Sequence, residues 1–195
     1  MRSFPISALA SDGTPLAAPL SGLVLHRYTD AAERDVGAPP SRVLHTRRYD
    51  VVDAEPNRLT WHETADFDTV SQIPPPASGV ETMTFQLMCD VGETRMVVSP
   101  WLYVVHTDVP DDIVGEYNSW YDQEHLPRLV RVPGIIRARR YASPTGHPRY
   151  LTAYELEERE SFSSPAAMQA RKTPWTERMR SLFTNTRRFT GQLIT

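Results

Sequence analysis

Short stretches of alternating apolar and polar residues recur along the chain, and in its second half longer stretches carry apolar residues three or four positions apart. Alternation is typical of strands with one buried face, whereas the wider spacing is typical of amphipathic helices. The alternating pattern predicts eight strands, one each near residues 24–30, 83–88, 102–108 and 189–194 and two each within 43–63 and 135–155. A mixed α+β protein is therefore expected.

The first predicted helix covers residues 110–131, where Asp108 is a suitable cap just before the helix begins. Pro127 disfavours helical geometry in the residue that precedes it, so we expect the helix to end or kink there. The apolar and aromatic positions that define this helix are Ile113, Tyr117, Trp120, Tyr121 and Leu126.

The two halves of the chain contain an internal repeat. Residues 43–63 and 135–155 align without gaps at a shift of 92, and seven of the 21 positions are identical. A shared Arg-Arg-Tyr triplet and a shared turn proline make a chance match improbable. The identical pairs are Arg47/Arg139, Arg48/Arg140, Tyr49/Tyr141, Pro56/Pro148, Leu59/Leu151, Thr60/Thr152 and Glu63/Glu155.

The first and fourth predicted strands of each half also match, at shifts of 78 and 106 residues. The growing shift means that the first half lacks 14 residues between its first and second strands and another 14 between its third and fourth. In the second half these places hold the helix at 110–131 and a second predicted helix at 164–183, which Pro165 and Pro174 start or interrupt.

Each half is therefore predicted to be a β-α-β-β-α-β unit, as in ferredoxin-like folds, with the helices of the first half reduced to loops such as 30–41 and 72–79. We divide the chain into an N-terminal extension (1–20), a first unit lacking most helix (21–98) and a full second unit (99–195). A sheet with helices on one face leaves its other face bare, so two such antiparallel sheets facing each other would form a barrel with a lumen.

Alternation on the strands also predicts which side chains face the lumen. Because helices and covering loops bury apolar surface, we assign the apolar set of the third strands (Leu59, Trp61, Leu151, Ala153) to the outer face. Burying many polar groups is costly without a polar ligand or water, which indicates a binding cavity. A register error of one residue would turn them all outward. The side chains expected in the lumen are His26, Tyr28, Arg47, Tyr49, His62, Gln86, Val104, His106, Arg139, Tyr141, Tyr154 and Gln192.

The segment WYDQEHLP, which contains His125, brings together two aromatic rings, two carboxylates and an imidazole. On a helix Tyr121 and Asp122 lie beside His125. The carboxylate and the C-terminal end of the helix would both raise the pKa of His125, which suits a general acid–base near neutral pH. The alternative is structural: an Asp122–His125 hydrogen bond closes the helix, Trp120 and Tyr121 cover the sheet, and Glu124 reaches an arginine or a backbone amide.

Composition and charge limit the partners and the cellular location that we expect. The net charge is −3 and the densest basic run, RARR at 137–140, lies on a predicted strand that splits its side chains between two faces, so no nucleic-acid partner is expected. The single cysteine, Cys89, excludes an internal disulfide and is predicted to be a small buried hydrophobe. No apolar run is long enough to span a bilayer and no secretory signal is evident, so we expect a cytoplasmic protein without a membrane partner.

Cofactor motifs are absent from the sequence. There is no glycine-rich phosphate loop, no dinucleotide fingerprint and no nucleophile elbow. No helical histidine pair has metal-ligand spacing, although His26, His62 and His106 could converge on a metal from three strands. We expect neither a cofactor nor a metal.

The segments YNSWYDQEHLPRLVRVPGIIRARRY (117–141) and PRYLTAYELE (148–157) resemble the EthD-like branch of the dimeric α+β barrel superfamily. Members typically show an aromatic-Tyr-Asp-x-Glu-His-x-Pro segment on the first helix, a Pro-Gly turn and an Arg-x-x-Arg-Tyr-like second strand. The match covers about residues 101–194. The first half resembles the same unit only through the repeat and has no counterpart of WYDQEHLP, so the chain resembles a tandem with one degenerate half.

This resemblance implies a cofactor-free barrel whose lumen holds a small aromatic, polyketide-like, lactone or similar molecule. Relatives in the superfamily include polyketide cyclases, muconolactone isomerases, anthrone-type dehydratases or decarboxylases, and quinone-forming monooxygenases. The resemblance transfers a scaffold and a candidate histidine, His125, rather than one reaction.

We accordingly expect a cofactor-independent lyase, isomerase or cyclase acting on a small aromatic, polyketide-like or carbonyl-bearing molecule. His125, oriented by Asp122, is the expected acid–base. A carbonyl or enolate would be stabilised by Tyr154, His106 or His62, and an anionic group would be anchored by Arg139 or Arg47. The remaining candidates for substrate contact are Trp120, Tyr121, His26, Tyr28 and Tyr141.

Two other functions remain open at this stage. One is a cofactor-free monooxygenase that uses the electrons of its own substrate to reduce O₂. The other is a binding protein that holds a small molecule without changing it. Loops in place of the first-half helices would leave sheet surface that a second copy could cover, so a homodimer is also expected.

Overall fold

The computed structural model describes residues 22–29, 43–67, 70, 79–93 and 98–194. The predicted N-terminal extension and, apart from Gly79, the two predicted loops of the first half lie outside these residues. All eight expected strands are present within the described part of the chain. They are β1 (Gly22–Tyr28), β2 (Val43–Val51), β3 (Arg58–Thr64), β4 (Glu81–Gly92), β5 (Trp101–Asp108), β6 (Ile135–Ala142), β7 (Tyr150–Leu156) and β8 (Thr184–Leu193).

The strands form one closed antiparallel barrel in the order β1-β3-β2-β8-β5-β7-β6-β4. The first four strands (β4-β1-β3-β2) and the last four (β8-β5-β7-β6) therefore have the same order, that of a ferredoxin-like sheet. The two sheets join where β2 pairs with β8 and β4 pairs with β6. Closure leaves no free strand edge, and it confirms the predicted α+β fold class with two antiparallel sheets closed into a barrel.

The helices between residues 98 and 194 occupy the two connections where the repeat places them. The expected second helix is broken into two short helices, each begun by a proline and capped by the hydroxyl of Ser164 or Thr173. No helix in the described part of the chain is long and apolar enough to cross a bilayer. The elements are a 3₁₀ turn (Asp111–Ile113), α1 (Val114–Trp120), a π-helical turn (Tyr121–His125), α2 (Leu126–Leu129), a 3₁₀ turn (Arg159–Ser163), α3 (Pro165–Ala170) and α4 (Pro174–Ser181).

The two predictions about the first helix have different outcomes. The helix does not end at Pro127 but continues to Leu129, and the expected irregularity takes the form of a wider turn just before the proline: the N–H of Leu126 bonds to the carbonyl of Tyr121, five residues back. The wider turn makes room for the proline ring, which in a regular α-helix would clash with the carbonyl four residues earlier. Asp108 does not cap the helix, because its carboxylate accepts a hydrogen bond from the backbone N–H of Arg149 instead.

The lumen of the barrel is filled by protein side chains. An eight-stranded barrel encloses a space that its own side chains can fill completely, and large aromatic side chains such as Trp61, Tyr141 and Phe85 are fully buried here. The expected substrate cavity in the lumen is therefore wrong for the described residues. The apolar side chains that fill it are Leu23, Leu25, Tyr49, Val51, Leu59, Trp61, Phe85, Leu102, Val104, Tyr141, Leu151, Ala153 and Phe189.

The predicted strand register is right on β2, β5 and β6 and wrong on the other five strands. The apolar set of β3 and β7 points into the lumen, so His62 and Tyr154 face outward. On β1 the inward residues are Leu23 and Leu25, which turns His26 and Tyr28 outward. On β4 and β8 the inward phenylalanines turn the two predicted glutamines outward. The physical reason is that the closed lumen is the driest space in the molecule, so it takes the apolar face of each strand.

Four charged side chains form a network in the lumen. Arg47 lies 3.2 Å from Glu63 and 3.9 Å from Glu155, and Arg139 contacts the same two carboxylates at 2.5 Å each. Each arginine and each glutamate has its repeat partner in the other sheet, so the network bridges both sheets. Burial acts to raise the pKa of Glu63, but Arg139 and Arg47 hold it below its ordinary value. Each buried charge is thus neutralised within the fold.

Candidate functional site

A small cavity of about 50 Å³ lies outside the barrel. It lies between the helices and the outer face of the sheet that they cover, which consists of strands β5 to β8 and is called the β5–β8 sheet below. His125 contributes to its lining, together with Arg171, Arg180 and Arg188. The rest of its wall is mainly aromatic, made of Tyr103, Trp120, Tyr121, Tyr154, Phe162 and Phe183. We refer to it as the His125 cavity.

The π-helical turn explains why His125 reaches this cavity. A turn closed by bonds between residues five apart brings such residues onto one face of the helix, and Trp120 is five residues before His125. The centroids of these two rings are 4.2 Å apart. The rings of Tyr121 and Tyr154 lie 5.2 Å and 6.4 Å from the His125 ring, both nearly perpendicular to it. The imidazole is therefore enclosed by three aromatic rings.

The surroundings of His125 keep its ring neutral. Burial lowers the pKa of His125 to about 3, and the positive charges of Arg171, Arg180 and Arg140 act in the same direction. The predicted rise in this pKa is therefore wrong in direction. A neutral imidazole can accept a proton or take part in hydrogen bonds, but it is not a standing acid at neutral pH.

The predicted pairing of Asp122 with His125 is also wrong. The Asp122 side chain is 54% exposed, and its carboxylate lies 3.5 Å from a guanidinium nitrogen of Arg140. Among the described residues none forms a hydrogen bond with the His125 ring. The π-helical turn causes this separation, because it places His125 on the Trp120 side of the helix and leaves Asp122 facing solvent.

Arg140 stabilises the π-helical turn from the sheet side. Its guanidinium group is buried, lies 4.1 Å from the centroid of the Tyr121 ring and donates a 2.9 Å hydrogen bond to the Asn118 side chain. An arginine over an aromatic face is held by the ring quadrupole, more strongly when both groups are desolvated. Arg140 therefore fixes Tyr121 against the sheet.

Hydrogen bonds from α4 hold the same helix from the other side. The Glu124 carboxylate accepts a 2.6 Å hydrogen bond from the Thr173 hydroxyl, and the indole N–H of Trp120 donates to the Thr176 hydroxyl at 3.2 Å. Glu124 thus bonds a threonine, where the sequence predicted an arginine or a backbone amide. These bonds fix the cavity wall, since each joins the helix of His125 to α4.

The fold brings together four of the predicted site residues: His125, Trp120, Tyr121 and Tyr154. Burial raises the pKa of the Tyr154 phenol well above its ordinary value, so this group stays protonated and can donate a hydrogen bond. The roles predicted for the four residues remain proposals, and Asp122 stands apart at the surface.

The predicted histidine cluster is divided between two places. His106 lies in the lumen, with its ring 5.4 Å from Phe85 and its Nε2 2.6 Å from the carbonyl oxygen of Pro148. His26 and His62 lie on the outer face of the first sheet, with ring centroids 5.4 Å apart. Tyr28 shares that outer face, where its hydroxyl bonds to a threonine. Neither group is in the His125 cavity.

The predicted lumen arginines do face the lumen, but they have partners there already. Arg47 and Arg139 bind Glu63 and Glu155, as described above. Tyr141 packs in the same lumen with its ring 5.7 Å from Trp61. An anchor for a substrate anion needs charge that the protein leaves unpaired, and these two arginines do not offer it.

Sequence reasoning missed the three arginines of the cavity. Arg171 and Arg180 are on the second helical segment, and Arg188 is on β8. The available signal was the recurrence of arginine through a segment that faces the same sheet as His125. The signal was missed because the sequence analysis placed the cavity in the lumen.

Neither a metal cluster nor a reactive cysteine is found in the described part of the chain. Among the described residues no three His, Cys, Asp or Glu side chains are grouped to hold a metal ion. Cys89 is partly buried, and burial raises the pKa of its thiol to about 11.

No protein-family model matches the chain, and no curated protein matches its sequence. Solved structures do match its fold. An anthrone oxidase-like protein has a TM-score of 0.61 and 12% identity over 90% of this chain and 92% of its own. A ferredoxin-fold protein from Listeria monocytogenes 4b F2365, related to antibiotic biosynthesis monooxygenases, has a TM-score of 0.59 and 8% identity over 91% and 97%. A mutant chlorite dismutase from Candidatus Nitrospira defluvii, in complex with cyanide, has a TM-score of 0.59 and 12% identity over 89% and 90%.

The chain shares its fold with these neighbours, one of which is described as a ferredoxin-fold protein. At such low identity the likeness shows the fold alone. An anthrone oxidase-like protein, a relative of antibiotic biosynthesis monooxygenases and a chlorite dismutase differ in chemistry, which agrees with the rule that a fold does not specify a reaction. The EthD-like branch and the tandem origin stay predictions.

Proposed function

We propose that the chain is an enzyme that removes a proton from a small, weakly acidic aromatic or carbonyl compound, with the neutral imidazole of His125 as the base. The observation that carries this proposal is the position of His125, which lies buried in an aromatic cavity and is neutral at pH 7. Aromatic walls of this kind favour a planar ring with a short substituent, because aromatic side chains form stacked and edge-on contacts. At about 50 Å³ the cavity is smaller than such a ring needs, so binding requires the cavity to open at its rim.

The low pKa of His125 favours a reaction in which the proton is returned to the substrate. An imidazolium formed in this cavity gives up its proton readily, since burial and nearby arginines disfavour its charge. Transfer of one proton between two positions of a substrate is the requirement of an isomerase, a cyclase or a lyase that expels a protonated leaving group. In this scheme Tyr154 is a positioned hydroxyl that can donate a hydrogen bond to the carbonyl oxygen or to the enolate formed.

Hydrogen–deuterium exchange tests the proton-abstraction step without knowledge of the product. Candidate compounds (β-keto acids, phenols, lactones and compounds with a methylene between two aromatic rings) are incubated with protein in D₂O, and loss of the acidic C–H signal is followed by NMR. We expect the protein to accelerate exchange in one class. His125→Asn should slow it by about 10²–10⁴-fold, the usual contribution of a general base.

His147→Asn is the matched control, because His147 is an exposed histidine far from the cavity wall, with its side chain 78% exposed. It should leave exchange unchanged. Unchanged exchange in His125→Asn would exclude His125 as the base. A compound that binds to the protein but shows no exchange in any variant would instead indicate a binding protein.

The second candidate is a cofactor-free monooxygenase, which the descriptions of the fold neighbours favour. In that reaction the carbanion left by proton removal reacts with O₂, and a methylene group becomes a carbonyl while the second oxygen atom leaves as water. The isomerase or lyase reaction proceeds equally with and without O₂. Consumption of one O₂ for each substrate molecule, with no product under nitrogen, would favour the monooxygenase.

A further inference from the structure

Three arginines at the His125 cavity have no acidic partner among the described residues. Arg171, Arg180 and Arg188 all line the cavity, but none of them is within ion-pair distance of an Asp or Glu carboxylate in the described part of the chain. Burial lowers the pKa of Arg171, and the positive charge of nearby Arg180 acts in the same direction. Within the described part of the chain no acid compensates this cluster.

The orientation of Arg171 is fixed although it has no ion pair. Its Nε donates to the backbone carbonyl of Ala167 at 3.1 Å, and its Nη2 donates to that of Phe162 at 2.8 Å. The guanidinium carbon also lies 4.3 Å from the centroid of the Phe162 ring. A cation that is held in place by neutral groups retains its full charge for a ligand, and its remaining nitrogen is free of these two bonds.

Neighbouring arginines on the same elements behave differently. Arg178, two residues before Arg180 on α4, binds both carboxylate oxygens of Glu116 at 2.9 and 3.0 Å. Arg187, next to Arg188 on β8, lies 3.0 Å from Glu81. Among the residues that the structure describes, these two arginines outside the cavity lining therefore have acidic partners and those that line the cavity do not.

We propose that the substrate of the His125 cavity carries a carboxylate or a similar oxyanion on its ring, bound by Arg171 and by the two arginines at the cavity rim. This inference rests on the proposed function, because it names the substrate class of that same site. A bound carboxylate forms charge-assisted hydrogen bonds with guanidinium groups. It offsets the positive field at the cavity, and this favours the protonated form of the nearby base. The anionic group is thus both an anchor and an activator of His125.

The test compares benzoate with benzamide, which have the same ring and nearly the same shape but differ in charge. Affinities are measured by calorimetry on the full chain. We expect benzoate to bind about tenfold or more tightly than benzamide, as hydrogen bonds to charged groups allow. The double variant Arg180→Gln/Arg188→Gln should lose most of that preference. The matched control Arg178→Gln/Arg187→Gln removes the same charge from the same elements and should keep it.

Inorganic phosphate is the third probe, since a cluster of arginines could serve a free anion. Phosphate that binds as tightly as benzoate would contradict an aromatic acid as the ligand. Equal affinity for benzoate and benzamide, no binding of benzoate at millimolar concentration, or equal losses in the two double variants would each overturn the proposal. A melting-temperature check on both double variants confirms that folding is intact.

NMR titration of the histidine ring signals provides an independent readout. Benzoate should move the titration midpoint of His125 upward, whereas benzamide should leave it in place. A downward or absent shift on benzoate binding would contradict the activating role. The His125→Asn variant separates the two proposals. If it keeps the preference for benzoate and the wild type shows no proton exchange, the anion site stands and the proposed reaction fails.

Discussion

Arginines lie on both faces of the β5–β8 sheet, and the two groups differ in what neutralises them. On the lumen face Arg139, together with Arg47 of the first sheet, contacts the Glu63 and Glu155 carboxylates. On the outer face the three cavity arginines have no acidic partner among the described residues. A buried cation without a partner is strongly disfavoured, so the lumen network belongs to folding. Unpaired cations beside an open cavity leave charge for a ligand.

The largest expected effect comes from breaking the lumen network. Glu63→Gln leaves two buried arginines with one carboxylate, and we expect it to lower the free energy of unfolding by about 3–5 kcal/mol, the usual cost of an unpaired buried charge. Denaturant unfolding measures this change. Glu116→Gln, which removes an acid from an exposed pair, is the control and should change stability little. A loss below about 1 kcal/mol for Glu63→Gln would mean that the lumen admits water.

The next effect is the pH dependence that His125 contributes. Its pKa is about 3 in the folded protein and about 6.5 unfolded, so between these values the unfolded chain binds a proton that the folded chain does not. Stability therefore falls as pH falls through this window. Going from pH 7 to pH 5, this one group costs about 2 kcal/mol. His125→Asn should flatten the stability–pH curve by that amount, and a curve parallel to that of the wild type would show that His125 is solvated.

Removal of the cavity arginines should have a smaller effect on stability. Arg180→Gln/Arg188→Gln removes two exposed cations without leaving an acid unpaired, so the free energy of unfolding should change by no more than about 0.5 kcal/mol. The same variant should raise the pKa of His125, since Arg180 is one of the charges that lower it. Thermal unfolding and NMR titration measure the two results. A loss comparable with that of Glu63→Gln would make the cavity arginines structural.

Asp122→Asn should have the smallest effect on His125. The carboxylate is half-exposed and lies 3.5 Å from Arg140, so its loss should cost at most about 1 kcal/mol of stability, since Arg140 keeps its hydrogen bond to Asn118. The titration midpoint of His125 should not move, because Asp122 has no hydrogen bond with its ring. A drop in this midpoint, together with loss of proton exchange, would restore Asp122 as the orienting partner of His125.

Much of the fold could be predicted from the sequence. The Arg-Arg-Tyr triplet and its gapless flanks marked the second and third strands of both halves, and the increasing shift located the helices. The repeat assigns β2 and β6 to one matching face and β3 and β7 to another, but it does not say which face points inward: the assignment held on β2 and β6 and failed on β3 and β7. The predicted face of β1 was wrong because the sequence match between β1 and β5 was out of register by one residue. Leu25 pairs with Trp61, and Val104 pairs with Ala153, the repeat partner of Trp61. The two strands therefore correspond at a shift of 79, one residue more than the sequence match suggested. A shift of one residue reverses the faces of a strand.

The candidate site could be predicted only in part. His125 and its aromatic neighbours followed from WYDQEHLP, but the charge state of His125 did not. It depends on the π-helical turn at Pro127 and on Arg171 and Arg180, which come from a distant segment. The prediction of where the cavity lies was wrong for a separate reason. The lumen was assigned to polar residues, whereas the driest space in a closed barrel takes the largest apolar side chains.

The central claim is that the functional cavity lies outside the barrel and not in its lumen. The chain carries one buried histidine in each place, His125 in the cavity and His106 in the lumen. Titration of ¹³C-histidine-labelled protein with benzoate, followed by NMR, tests it directly. We predict that the ring signals of His125 shift in proportion to occupancy, while those of His106 in the lumen stay fixed. Shifts of His106 with an unchanged His125 would place the ligand in the lumen and contradict the account.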